Sequence, residues 1–123
     1  MRILRKYGAT TTIAFSLRDY FTGELYDTAL ASGDVTIGID GAAFATVNDD
    51  PPTKAQSGQY EIDLTSAETT GKRITIQVVD QTDPKAFADC VLEIETYGHA
   101  SAQYASDLEA LAETSDVAGD SRY

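Results

Sequence analysis

Apolar residues alternate with polar or small residues through several short segments of the chain. In the segment 58–64, Tyr60, Ile62 and Leu64 fall on one side and polar residues fall on the other. A period of two is the pattern of a half-buried strand, because successive side chains of a strand point to opposite faces. By this criterion, strands are predicted at 9–17, 35–39, 42–47, 58–64, 73–79 and 87–96.

Two local signals predict how some of these strands are connected. Asp40-Gly41 lies between two alternating segments, and this dipeptide is typical of a type I′ hairpin turn, which needs positive φ at both central residues. Thr65 and Glu68 have the spacing of a capping box. A single helical turn that ends near Gly71 is therefore predicted to cross between two sheets.

Two stretches are predicted to be loops. Residues 18–32 contain Gly23 and several polar residues, so they favour a connection whose aromatic side chains cap the core. Residues 48–53 include Pro51 and Pro52, which cannot donate the hydrogen bonds of a ladder. The chain is therefore expected to leave the sheets in both places.

The two ends of the chain differ from the alternating part between them. Residues 1–8 mix basic and apolar side chains and are predicted to form an N-terminal arm or an edge strand. Within 98–123, Tyr104, Leu108 and Leu111 have helical spacing and predict a short amphipathic helix over 103–112. The predicted fold is all-β: an immunoglobulin-like antiparallel β-sandwich of about seven strands at 9–97, with a short C-terminal helix or extended tail.

Size and charge restrict the classes of function. A chain of 123 residues is the size of one domain. Its 9 basic and 20 acidic residues give a net charge of −11, which disfavours nucleic acid as a partner. No segment has the length and hydropathy of a membrane span, and the N-terminal stretch lacks the pattern of a signal peptide. We therefore expect no membrane partner and assembly in a cytoplasm.

The residues that suggest chemistry do not form a recognisable site. Asp49, Asp50, Asp80 and Asp83 fall in two predicted loops and suit Ca²⁺, but no segment matches an EF-hand loop, so turn hydrogen bonding is favoured. His99 has no second histidine with which to bind a metal. We expect no metal, no cofactor and no enzyme activity.

The single cysteine excludes an internal disulfide framework. Cys90 is in phase with Leu92 and Ile94, which predicts a buried thiol that packs like a small apolar residue rather than a nucleophile.

The chain resembles a module that recurs in structural proteins of tailed bacteriophages. The resemblance is carried by VTIGIDGAAF at 35–44, GQYEIDLTSAE at 58–68, the strand at 74–79 and the Asp83-Pro84 turn. In addition, FSLRD at 15–19 is similar to the start of the immunoglobulin-like domain of upper baseplate proteins. The family occurs in baseplates, fibre attachment points, collars and capsid decorations. The resemblance therefore implies a non-enzymatic virion protein, assembled in the host cytoplasm.

Within that family we expect an adaptor in the tail, neck or baseplate region that joins fibres or spikes to the virion core. Its partners are expected to be other virion proteins, with several copies of the chain forming a homo-oligomer in the particle. A capsid decoration (cement) protein and a carbohydrate- or receptor-binding module are the alternatives. The residues expected to bind partners are Arg2, Ile3, Leu4, Arg5, Lys6, Tyr7, Tyr104, Leu108 and Leu111.

Overall fold

The computed structural model of the chain describes residues 2–105, and their secondary structure is all β. This range contains eight strands and no helix. In chain order the strands are β1 (Arg2–Lys6), β2 (Thr11–Phe15), β3 (Val35–Ile39), β4 (Ala45–Thr46), β5 (Thr53–Gln56), β6 (Gln59–Leu64), β7 (Arg73–Val78) and β8 (Cys90–Tyr97).

The strands form two sheets. The large sheet has five strands in the order β1-β8-β7-β3-β4, and the small sheet has three in the order β2-β6-β5. Neighbouring strands are antiparallel except for β1 and β8, which run parallel. The predicted all-β class is confirmed. Of the two alternatives for residues 1–8, the structure shows the edge strand.

One apolar cluster draws on the inward side chains of both sheets, as in a β-sandwich. On β6, β7 and β8 the buried residues alternate with more exposed ones. Removing each large apolar side chain from water contributes roughly 1.5–3 kcal/mol, so the alternation is the pattern that stabilises the two-layer arrangement. The cluster consists of Ile13, Phe15, Leu17, Leu30, Val35, Ile37, Val47, Tyr60, Ile62, Leu64, Ile74, Ile76, Val78, Phe87, Leu92 and Ile94.

The predicted turn at Asp40-Gly41 is confirmed. The φ angles of these residues are 51° and 79°, and the Ala42 N–H donates to the Ile39 carbonyl at 3.0 Å. Both central residues are thus left-handed, as a type I′ turn requires.

The strand that returns from this turn is shorter than the predicted 42–47. Its ladder with β3 pairs only Thr36 with Thr46 and Ile37 with Ala45, so β4 has two residues. A Cβ at Gly38 would lie 3.2 Å from the Phe44 ring, so the glycine makes room for that ring.

The predicted capping box is also present. The Thr65 N–H donates to the Glu68 carboxylate at 2.9 Å, and the Glu68 N–H donates to the Thr65 hydroxyl at 3.2 Å. The segment connects β6 of the small sheet to β7 of the large sheet, as predicted. The segment is not the predicted helical turn: residues 66–69 form hydrogen-bonded turns and no helix.

One strand was not predicted, and some predicted strands have other bounds. Residues 53–56 form β5, although 48–53 was predicted to be a loop; both prolines precede this edge strand, so they remove no donor from its ladder, whose register shifts between Lys54 and Gln56. The strand predicted at 9–17 spans only 11–15. The last strand begins at Cys90 rather than at residue 87. Phe87 is buried all the same, in an isolated bridge to Asp19.

Replacing Ile76 with alanine tests the packing of the core. Ile76 is fully buried on β7 and pairs with Ile37 and Leu92 on the two neighbouring strands. We expect Ile76→Ala to lower the free energy of unfolding by about 2–5 kcal/mol in urea titrations, because it leaves a cavity. Gln77→Ala, on the opposite face of the same strand, should change it by less than about 0.5 kcal/mol. Equal effects would contradict the assignment of the two faces.

Candidate interaction surface

β1 is an edge of the large sheet and carries five of the residues predicted to bind partners. Its register with β8 places Arg2, Leu4 and Lys6 on the outward side and Ile3 and Arg5 on the inward side. Ile3 packs against the core, and the Arg5 Nε donates to a threonine hydroxyl on β2 at 2.9 Å. The inward residues therefore attach the strand to the molecule, and the outward ones face the surroundings.

Tyr7 continues this edge and joins it to the turn that follows β8. Its N–H donates to the Tyr97 carbonyl at 2.9 Å, and its ring stacks on His99 with the centroids 4.3 Å apart. The His99 Nδ1 accepts the Ser101 N–H at 2.9 Å. Tyr7 therefore holds the start of the described chain against its end.

Tyr104 lies on the same edge. Its N–H donates to the Thr96 carbonyl at 2.9 Å, and its hydroxyl donates to the Glu95 carboxylate at 2.9 Å. The hydrogen bond to Glu95 raises the pKa of the Tyr104 hydroxyl. Tyr104 lines a shallow pocket together with Arg2 and Leu4. The structure thus brings together residues that were predicted to bind partners from opposite ends of the sequence.

The helix predicted over 103–112 does not begin at its predicted start. Tyr104 is paired with Tyr97 in a parallel bridge, and the backbone of residues 103–105 is not helical. The remainder of that prediction, including Leu108 and Leu111, lies outside the described residues.

We use the term outer face for the side of the large sheet that points away from the core. Strand alternation places Arg2, Arg73, Glu93 and Glu95 on it, and the Arg2 guanidinium lies 3.4 Å from Glu93 and 3.8 Å from Glu95. Phe44 belongs to the outer face because its ring covers the outward side of Gly38. The surface therefore combines charged pairs with exposed apolar side chains.

A second exposed surface is the aromatic hairpin, residues 17–26. The Tyr26 N–H donates to the Leu17 carbonyl at 2.9 Å, and the Asp19 N–H donates to the Glu24 carbonyl at 2.7 Å. At its tip, Phe21 is 72% exposed. The prediction that aromatic residues cap the core is wrong for this tip, although Tyr26 does pack on Phe87.

Hydrogen bonds hold the tip of the aromatic hairpin in place. The Asp19 carboxylate accepts the N–H groups of Phe21 and Thr22 at 2.9 and 3.0 Å, and these bonds lower the pKa of Asp19. The Tyr20 N–H donates to the Ala86 carbonyl at 3.0 Å. The Tyr20 and Phe21 rings meet edge to face, with centroids 5.3 Å apart. The backbone that carries these two exposed rings is thus held by hydrogen bonds to Asp19 and Ala86.

Asp27 fixes the chain that follows the aromatic hairpin. Its carboxylate lies 2.8 Å from the Lys54 ammonium and accepts the Ser57 hydroxyl and the Gly58 N–H, both at 2.9 Å. These bonds, led by that from Lys54, lower the pKa of Asp27 to about 2. Nearby, the buried Tyr60 hydroxyl donates to the Thr28 carbonyl at 2.7 Å.

Three of the four aspartates considered for Ca²⁺, Asp49, Asp50 and Asp80, accept backbone N–H groups. Asp50 accepts the Gly33 N–H at 3.0 Å, and Asp80 accepts the Ala86 N–H at 2.7 Å. Within residues 2–105, no group of three His, Cys, Asp or Glu side chains is arranged to hold a metal ion. The same range contains no helix that is long and apolar enough to cross a bilayer. Cys90 packs on the core, as predicted, but it is half-buried rather than buried, and burial raises its thiol pKa.

Sequence reasoning missed the outer-face residues beyond β1 and the orientation of the aromatic tip. Arg73 and Glu95 read as solvent-facing strand residues, and only the register shows that they are direct neighbours. For Tyr20 and Phe21, the available signal was Asp19 two residues before Phe21, since aspartate at that position fixes a turn.

Replacing Asp27 with asparagine tests how the aromatic hairpin is supported. The pKa of Asp27 in the folded protein lies below its ordinary value of 3.8, so the ionised group stabilises the fold above that pH and loses this effect as the pH falls towards 2. We expect Asp27→Asn to be less stable than the wild type in urea at pH 7, and the difference to shrink as the pH falls. A difference that is constant with pH would show that the charge of Asp27 is not involved.

Comparison with known proteins gives no family assignment. No protein-family model matches the chain, and no curated protein matches it.

Proposed function

We propose that this protein is a non-enzymatic structural component of a tailed-phage virion. In this proposal it is an adaptor in the tail, neck or baseplate region that attaches fibres or spikes to the virion core. The proposal rests on one observation: Arg2 and Leu4 of β1 lie beside Tyr104 on one exposed surface. A β-sandwich that brings the first and last parts of its described residues to one exposed surface suits a component that joins larger subunits.

The strand order supports the immunoglobulin-like part of this proposal. In an immunoglobulin domain, the second, fourth and fifth lettered strands share one sheet, and the third, sixth and seventh share the other. Here β2, β6 and β5 correspond to the first set, and β3, β7 and β8 to the second. β4 then extends the second sheet as it does in variable-type domains, and β1 pairs with the last strand.

The residues on β1 have distinct roles in the proposed contact. Leu4 and Tyr104 supply exposed apolar surface, and 39% and 47% of these residues are accessible to solvent. Arg2 and Lys6 offset negative charge at this edge of a chain of net charge −11, so acidic partner surfaces are repelled less here than elsewhere on the molecule. Ile3 and Arg5 hold the strand in place from the inward side.

Disrupting the gene in the encoding phage tests the adaptor proposal. We expect particles with complete capsids and tails that lack fibres or spikes in electron micrographs and adsorb poorly to host cells. Supplying the wild-type protein should restore both properties. Particles that keep their fibres but have heat-labile capsids would indicate a decoration protein instead. Fully fibred, normally adsorbing and heat-stable particles would contradict both roles.

The aromatic hairpin favours a second candidate, a carbohydrate- or receptor-binding module. Tyr20 and Phe21 are 55% and 72% exposed, and their backbone is fixed by Asp19 and Ala86. Rigid aromatic rings bind at low conformational cost, because few rotamers have to be restricted on contact. This surface requires no catalytic group and suits a ligand that stacks on rings.

A glycan-binding screen tests this second candidate. If it holds, the full-length protein should bind a subset of glycans, and Tyr20→Ala should weaken that binding by about tenfold or more, as loss of a central aromatic contact does. Tyr104→Ala serves as the control because it removes an exposed ring elsewhere. Absence of glycan binding, or equal loss in both variants, would reject the carbohydrate-binding form of this candidate.

A further inference from the structure

The outer face differs in charge from the rest of the molecule. Four basic and three acidic residues lie on the outer face or at the end of its strands, which gives this surface a net charge of +1. The other described residues contain four basic and twelve acidic side chains, for a net charge of −8. The outer-face charges are Arg2, Lys6, Lys72, Arg73, Asp40, Glu93 and Glu95.

The outer face also collects exposed apolar side chains. Leu4, Phe44, Val91 and Tyr104 are between 39% and 47% exposed. The other large apolar residues that are exposed in the described part of the chain, Tyr20, Phe21 and Leu25, belong to the aromatic hairpin. The outer face therefore combines apolar surface with the absence of net negative charge.

We propose that two copies of this chain pack against each other through their outer faces. A strongly acidic molecule repels a second copy on its acidic sides, and this repulsion is absent where the local charges balance. The outer face has neighbouring residues of opposite sign, with Glu95 beside Arg73 and Glu93 near Arg2. In a twofold arrangement each outer face meets an identical one, so neither side of the contact carries net negative charge.

Contact through the face is favoured over edge-to-edge pairing of β1. The Arg5 Nη1 donates to the Leu4 carbonyl at 3.0 Å, and the Ala9 N–H donates to the Lys6 carbonyl at 3.4 Å. These bonds occupy carbonyl groups that an added strand would need, and like charges on the two copies of β1 would repel. The edge is therefore partly protected, whereas the face beside it is not.

This inference deepens the homo-oligomer part of the proposed function and names the surface involved. It concerns the isolated protein, so it is separable from the adaptor role. If the protein forms the dimer but its loss leaves the fibres attached, only the adaptor proposal fails. If the protein is monomeric in solution but is needed for fibre attachment, only this inference fails.

Sedimentation velocity of the full-length protein tests the inference. We expect a concentration-dependent dimer, and we expect Leu4→Glu and Phe44→Glu each to raise the dissociation constant by about tenfold or more. Phe21→Glu is the matched control, because it replaces a more exposed ring on the aromatic hairpin and should leave the dimer unchanged. Circular dichroism of each variant confirms that the β structure is retained. A wild-type protein that stays monomeric, or a dimer that only Phe21→Glu disrupts, would overturn the proposal.

Cysteine cross-linking distinguishes the outer face from the opposite side of the molecule. In a Cys90→Ser background, Thr75→Cys places a thiol on the central β7 strand of the outer face, next to Glu93. Ser16→Cys places one on an exposed position directly after β2 of the small sheet. We expect mild oxidation to produce disulfide-linked dimers with Thr75→Cys and much less with Ser16→Cys. The reverse result would overturn the proposal.

Discussion

The packing of inward side chains from both sheets into one apolar cluster is the constraint on which the rest of the structure depends. Tyr60 and Ile62 from the small sheet and Ile76 and Ile94 from the large sheet are all fully buried in it. Because strand side chains alternate, filling the core from both sheets also fixes which residues point outward. The outer face is therefore a direct consequence of the core.

Several of the acidic residues have a structural role, which the net charge does not reveal. Asp19, Asp34, Asp40, Asp50 and Asp80 each accept at least one backbone N–H in a loop or turn. Such bonds satisfy donors that loops cannot pair within a sheet, so these carboxylates hold the connections in place. The connections are thus ordered by polar contacts, and the sheets by apolar ones.

The sequence predicted the elements whose pattern arises from burial or from a specific turn. The buried faces of β6 and β7, the Asp40-Gly41 turn and the contacts of the capping box were all predicted correctly. β5 was missed because its residues are mostly exposed and it is held by backbone pairing, which leaves no apolar alternation. Asp19 is a local signal for the turn at Phe21, but the bond from the Tyr20 N–H to the Ala86 carbonyl joins distant segments, which no local pattern records.

We propose that this protein acts through the outer face, which two copies share. The decisive measurement is electron cryomicroscopy of the virion to which the protein is proposed to belong. We expect Leu4, Phe44 and Tyr104 to be buried against a second copy of the chain, while the outward side of the small sheet stays free of that contact. Density that shows the outer face in solvent, with neighbouring copies held through the small sheet, would contradict it.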